Sequence, residues 1–201
     1  MQIYRDSDAD IGILKGKKIA VLGYGSQGRA QALCFRDSGL DVTVGVREGK
    51  SFDRAKEDGM NVTSVPEAVK DADVVMMLLP DEAQPDIYDA EIAPNLKSGA
   101  ALEFAHGFSI AYDLIRPPKD VDVIMLAPKG PGPMIRRIFE GGYGVPAIIS
   151  IHQDATGNAK NIVLALAKGM NCTMPGEIIF LVVRRSKSIQ EKALDMSFHK
   201  K

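Results

Sequence analysis

The sequence predicts an α/β chain built as a doubly wound, mostly parallel sheet with helices on both faces. Three observations carry that reading. From Lys18 to Ile151 short apolar runs alternate with helical patterns, as in strands joined by crossover helices. Val74-Val75-Met76-Met77-Leu78-Leu79 is an unbroken apolar run ended by Pro80, which suits a strand buried on both faces near the middle of a sheet. Gly23-Tyr24-Gly25-Ser26-Gln27-Gly28 follows the run Ile19-Ala20-Val21-Leu22 and opens a helical pattern, which makes the first unit Rossmann-like.

Taken in order, the apolar runs place strands near 18–22, 41–46, 61–63, 73–79, 100–104, 121–127 and 145–151. Helices fall between them near 26–38, 51–58, 66–70, 83–89, 109–112, 134–140 and 156–169. There is no internal repeat and no low-complexity linker. In such a sheet ligands bind beyond the carboxyl ends of the strands. The segments to read closely are therefore 23–28, 47–51, 80–84, 105–109 and 128–132.

Each glycine of the turn has a task in a dinucleotide site. Gly23 permits the tight exit from the strand, Gly25 lets backbone amides approach a pyrophosphate, and Gly28 lets the helix pack on the sheet. The helix start adds free N–H groups and a positive dipole end. A glycine-rich turn with no ligand is the plain alternative, and the strand-to-helix context weighs against it. After the second strand, Arg47, Lys50 and Ser51 offer two cations and a hydroxyl for a ribose 2'-phosphate, so NADP is favoured over NAD. Glu48 dissents, because a carboxylate beside a phosphate repels it, and the loop charges could also be merely solvated.

Composition bounds the rest. The chain has 201 residues, 45% hydrophobic and 25% charged, with a formal net charge of −1, which speaks against nucleic acid or a membrane as a partner held by bulk charge. Cys34 and Cys172 are too few for a disulfide framework. The polar start from Met1 to Gly12 does not read as a secretion signal, and no apolar stretch reaches a membrane span. A cytoplasmic location is expected.

Two further segments could carry chemistry. Phe104-Ala105-His106-Gly107-Phe108-Ser109-Ile110 sets a histidine at a strand end, where a lone surface histidine is the plain alternative. Ala127-Pro128-Lys129-Gly130-Pro131-Gly132-Pro133 is a stiff loop holding one lysine, suited to a carboxylate, a phosphate or a developing alkoxide, or simply a solvated turn charge.

Through these and neighbouring segments the chain closely resembles ketol-acid reductoisomerase, the acetohydroxyacid isomeroreductase of branched-chain amino-acid synthesis. The matching segments are GYGSQGRAQA at 23–32, VGVREGKS at 44–51, LLPDEAQPDIY at 78–88, LEFAHGFSI at 102–110, APKGPG at 127–132 and GVPAIISIHQDATGNA at 144–159. The resemblance covers roughly residues 1–173. It implies a Mg2+-dependent alkyl shift in 2-acetolactate or 2-aceto-2-hydroxybutyrate, followed by reduction by NADPH to the 2,3-dihydroxy acid. On the matching positions His106 and Lys129 are the catalytic candidates. Gly23, Tyr24, Gly25, Ser26, Gln27 and Gly28 would line the pyrophosphate, and Arg47, Lys50 and Ser51 would meet the 2'-phosphate. Leu79, Pro80, Asp81 and Gln84 would lie on the nicotinamide side, with Gly132 closing the pocket.

From about residue 174 the sequence departs from the family. The acid-rich metal-binding stretch and the helical knotted domain that follow in the family have no counterpart, so residues 174–201 read as an atypical tail and no metal ligand is assigned. Glu191 and Asp195, four apart, are a weak mimic of the metal pair. The alternative to the enzyme is thus a fragment that binds NADPH without turnover. An apolar face left open by the missing domain would invite self-association into a homo-oligomer.

Overall fold

The computed structural model describes residues 2–173 and 178–180. Among them nine strands form one sheet: β1 (Gln2–Tyr4), β2 (Lys18–Leu22), β3 (Asp41–Gly45), β4 (Asn61–Thr63), β5 (Val74–Met77), β6 (Ala101–Phe104), β7 (Asp122–Pro128), β8 (Ala147–Gln153) and β9 (Ile178–Phe180). Their order across the sheet is β1-β9-β8-β7-β6-β5-β2-β3-β4. The six strands from β4 to β7 run parallel. The direction in which the chain winds reverses between β2 and β5, and such a crevice is where ligands sit in this architecture.

The helices are α1 (Ser26–Asp37), α2 (Lys50–Glu57), α3 (Val65–Lys70), α4 (Gln84–Ile87), α5 (Phe108–Ala111), α6 (Gly132–Glu140) and α7 (Ala159–Gly169). Two buried clusters occupy the two sheet faces. One gathers Val21, Val74, Met76, Ile124 and Leu126 with the undersides of α1 and α7. The other gathers Ala20, Leu22, Val75, Leu102 and Phe104 with α3 and the segment around Tyr88 and Ile92. Alternate residues of a strand serve opposite faces, so β2 and β5 are apolar on both sides, while β6 carries Glu103 on one of them.

Three features differ from the sequence reading. β8 lies antiparallel to β7, with Pro128 opposite Ala147, because α6 does not cross back over the sheet: the Lys129 N–H reaches the Pro146 carbonyl at 2.8 Å and turns the chain at the same edge. The central run stops being a strand at Met77, since Leu78 and Leu79 bend away where β5 meets the glycine turn. The helix expected over 83–89 is a continuous coil of mixed pitch from Asp81 to Asn95, with a π-helical stretch at Tyr88–Ile92. At the far edge β9 runs parallel to β8 and β1 antiparallel to β9, so three residues beyond position 173 take a place in the sheet. Glu191 and Asp195 lie outside the described residues.

Candidate functional site

β2 ends in the glycine turn, and the turn is built so that only glycine fits two of its positions. Gly23 stands at φ +95°, and a Cβ there would lie 2.6 Å from the Leu78 carbonyl oxygen. A Cβ on Gly28 would lie 2.2 Å from the Gly23 carbonyl oxygen. Gly25, in contrast, has nothing within 4 Å of its added Cβ and caps α1 with no side-chain bond. The first-turn amides of α1 have no partner within the helix, and Gly25 leaves open space beside them, the arrangement that accepts a phosphate.

The other residues of the turn separate into two roles. Ser26 is exposed, whereas the Tyr24 ring is buried and its hydroxyl donates to Asp58 Oδ2 at 2.9 Å. Tyr24 therefore offers the turn its backbone, while its ring braces α1 against the end of α2. Gln27 reaches across the edge and donates from Nε2 to the Gly130 carbonyl at 2.9 Å. That bond ties the turn to the Lys129 loop. Gly132 closes the same gap, since a Cβ on it would stand 1.9 Å from the Ser26 carbonyl oxygen.

Beyond β3, Arg47, Glu48, Gly49, Lys50 and Ser51 are all exposed. Gly49, at φ 136°, precedes α2, so Lys50 and Ser51 form its first turn, whose amides have no partner within the helix.

Beyond β5 and β6 a hydrogen-bonded chain supports the histidine. The buried Ser109 hydroxyl donates to Gln84 Oε1 at 2.8 Å. Gln84 Nε2 donates to the Leu79 carbonyl at 3.0 Å and to Asp81 Oδ1 at 3.2 Å. Asp81 Oδ1 lies 2.9 Å from His106 Nε2, and the Phe108 N–H donates to His106 Nδ1 at 3.3 Å. Since Nδ1 accepts, the ring proton of the neutral histidine sits on Nε2 and points at Asp81. Asp81, which the family resemblance put on the nicotinamide side, orients His106. Lys129 is exposed on the neighbouring loop beyond β7. Pro80 is exposed and Leu79 half-buried, both just beyond the end of β5.

Sequence reasoning gave no role to Ser109, although it lies three residues after the histidine it supports. It also passed over Glu103, which lies fully buried in β6. The Leu126 N–H donates to its Oε1 at 3.1 Å, and burial raises its carboxyl to about 8. Among the described residues no three His, Cys, Asp or Glu side chains gather where they could hold a metal ion. No helix there is long and apolar enough to cross a membrane.

Comparison with known proteins agrees with the fold. Residues 13–176 match the family described as acetohydroxy acid isomeroreductase, NADPH-binding domain. An NADH-preferring ketol-acid reductoisomerase from an uncultured archean is 42% identical with a TM-score of 0.87; the match covers 100% of this chain and 61% of that one. A putative oxidoreductase of Jannaschia sp. aligns at 18% identity and a TM-score of 0.68, over 91% of this chain and 69% of its own. A 3-hydroxyisobutyrate dehydrogenase of Mycobacterium tuberculosis aligns at 18% and 0.60, over 90% and 60%. The last two share the fold alone. This chain spans about three fifths of the length of its 42% identical relative. On the family match and that identity, the chain belongs to the ketol-acid reductoisomerase family of oxidoreductases and comprises its Rossmann-like NADPH-binding domain.

Proposed function

We propose that this chain holds NADPH across the glycine turn and serves the reducing step of a ketol-acid reductoisomerase in branched-chain amino-acid synthesis. In that reaction 2-acetolactate or 2-aceto-2-hydroxybutyrate undergoes an alkyl shift and is reduced to a 2,3-dihydroxy acid. The observation that carries the reading is one edge: the glycine turn at the switch point, with His106 held by Asp81 further along it.

NADPH, when bound, supplies the hydride. Gly25 and the first-turn amides of α1 hold the pyrophosphate, and Arg47, Lys50 and Ser51 hold the 2'-phosphate. Leu79, Pro80, Asp81 and Gln84 line the nicotinamide side, with Gly132 at the closed end. His106, fixed in one tautomer, moves a proton or places the substrate, while the Lys129 ammonium faces the substrate carboxylate or alkoxide. The family chemistry calls for Mg2+, but the described residues do not gather a ligand set for it, and no step is derived through it. That same finding favours a second reading, a chain that binds NADPH without turnover. Self-association is part of the proposal, supported by exposed Phe108, Tyr112 and Leu114 beside His106, as is a cytoplasmic location.

The test is NADPH binding followed by NADPH oxidation with 2-acetolactate and Mg2+ on the purified chain. Binding with Mg2+-dependent turnover supports the enzyme; binding alone supports the second reading; no binding by folded protein overturns both. Cofactor choice is read in the same experiment. If the Glu48 carboxylate opposes the 2'-phosphate, Glu48→Ala tightens NADPH and leaves NADH unchanged.

A further inference from the structure

Two buried side-chain atoms that lack a hydrogen-bond partner among the described residues are Glu103 Oε2 and Gln31 Oε1. They belong to one layer of the fold. The cross-strand neighbours of Glu103 are Met76 and Ile124, and these share a core with Ala32, Leu33, Cys34 and Phe35 of α1. Glu103 therefore points into the core layer that α1 also borders, and Gln31 of α1 has a wholly buried side chain.

The bonds on either side of the gap have one polarity. The Leu126 N–H donates to Glu103 Oε1 at 3.1 Å, Gln31 Nε2 donates to Gln27 Oε1 at 3.2 Å, and Gln27 Nε2 donates to the Gly130 carbonyl at 2.9 Å. Each group accepts at one end and donates at the other. The link needed between the two halves is a donor on Glu103 Oε2 facing the acceptor Gln31 Oε1, and only a protonated carboxyl provides one. We infer that Glu103 is held as the neutral acid and donates its proton to Gln31 Oε1, completing a head-to-tail chain that fixes the Lys129-Gly130 loop on the glycine turn. Glu103 is then a positioning residue for the edge, acting through two glutamines.

The surroundings agree with a neutral acid. β5 and β7 present Met76, Ile124 and Leu126 to this layer, and α7 presents Val163 and Leu166. The titratable groups of the layer are the Cys34 and Cys172 thiols and the Tyr4 and Tyr24 phenols; burial pushes both thiols and the Tyr24 hydroxyl up, so they stay neutral. Arg136 of α6, beside Cys34, pairs with Asp37 and Glu140. Burial raises the Glu103 carboxyl, the Leu126 N–H opposes it, and no charged side chain contributes. Polarised chains of this kind strengthen each bond within them.

The test follows the side-chain amide signals of Gln27 and Gln31 by NMR as pH rises through about 8. In the native chain both signals move with one shared midpoint. In Glu103→Gln, whose amide can donate in the same place without titrating, both stay flat in folded protein. In Gln31→Leu the Gln27 signal stays flat although Glu103 remains. A Gln27 signal that is flat in the native chain, or that titrates unchanged in Glu103→Gln or Gln31→Leu, overturns the inference. Should Gln31→Leu fail to fold, the native chain and Glu103→Gln decide the matter between them.

Discussion

Gly25 and Gly132 serve the same edge of the sheet but are constrained by different things. A methyl on Gly25 meets no protein atom within 4 Å, whereas one on Gly132 meets the Ser26 carbonyl oxygen at 1.9 Å. Gly132→Ala should therefore cost about 1–3 kcal/mol, as overpacking does, measured by urea unfolding. Gly25→Ala should leave stability within about 0.5 kcal/mol and weaken NADPH, because the space it fills is the one proposed for the pyrophosphate. A Gly25→Ala chain that binds NADPH normally would sink that assignment. The His106 tautomer is checked separately: its nitrogen shifts should report a proton on Nε2 in the native chain and a mixture in Asp81→Asn. Glu103 sets a pH dependence of stability. Its folded value, about 8, lies above the ordinary 4.5, so the folded state binds the proton more tightly and stability falls as pH rises from about 4.5 towards 8. Glu103→Gln should remove that slope and be the more stable form at pH 8, by on the order of a few kcal/mol; equal slopes in pH-dependent unfolding would contradict it.

Between elements, the placement of α1 is secured by one carboxylate. Asp58, just past α2, accepts from Arg29 Nε at 2.6 Å, Arg29 Nη2 at 2.7 Å and Tyr24 Oη at 2.9 Å. The Arg29 guanidinium holds its carboxyl below the usual range, the Tyr24 hydroxyl adding to this against the opposing effect of burial. That contribution is present above the ordinary 3.8 and is lost as pH falls through the lower folded value. Asp58→Ala should cost about 1–3 kcal/mol by leaving a partly buried guanidinium and hydroxyl unpaired, more than Tyr24→Phe, which removes one bond. Similar unfolding midpoints for the two would show that the pair with Arg29 contributes nothing. Arg29 and Asp58 also line a cleft of about 420 Å³ between α1 and α6. Element boundaries follow local chemistry closely: α3 begins with Pro66 in its first turn, and α2 begins after Gly49. The direction of β8 did not follow, because a strand buried on both faces shows the same apolar run whichever way it points.

Across the molecule, the start of the chain is bound to its far side. Lys168 Nζ reaches the Asp6 carboxylate and the Asp6 and Ala9 carbonyls at 3.0–3.1 Å, and Thr173 Oγ1 donates to Asp6 Oδ1 at 2.7 Å. Leu14 is fully buried under α7 in the same segment. Leu14→Ala should cost about 2–5 kcal/mol, seen as a lower Tm; a near-neutral result would mean that the N-terminal segment is not part of the cooperative unit. The sequence by itself determined the doubly wound class, the strand-to-helix alternation, the glycine turn and the family, since these rest on local periodicity, turn chemistry and short motifs. His106, Lys129 and the segment 80–84 could be singled out because the ends of parallel strands are recognisable one at a time. Only the tertiary structure decided that β8 reverses, that β1 and β9 extend the sheet, that Asp81 and Ser109 support His106, and that Glu103 lies buried below it. Those facts depend on pairings between residues far apart in the chain, and neither a strand's direction nor a carboxyl's burial is encoded in the few residues around it.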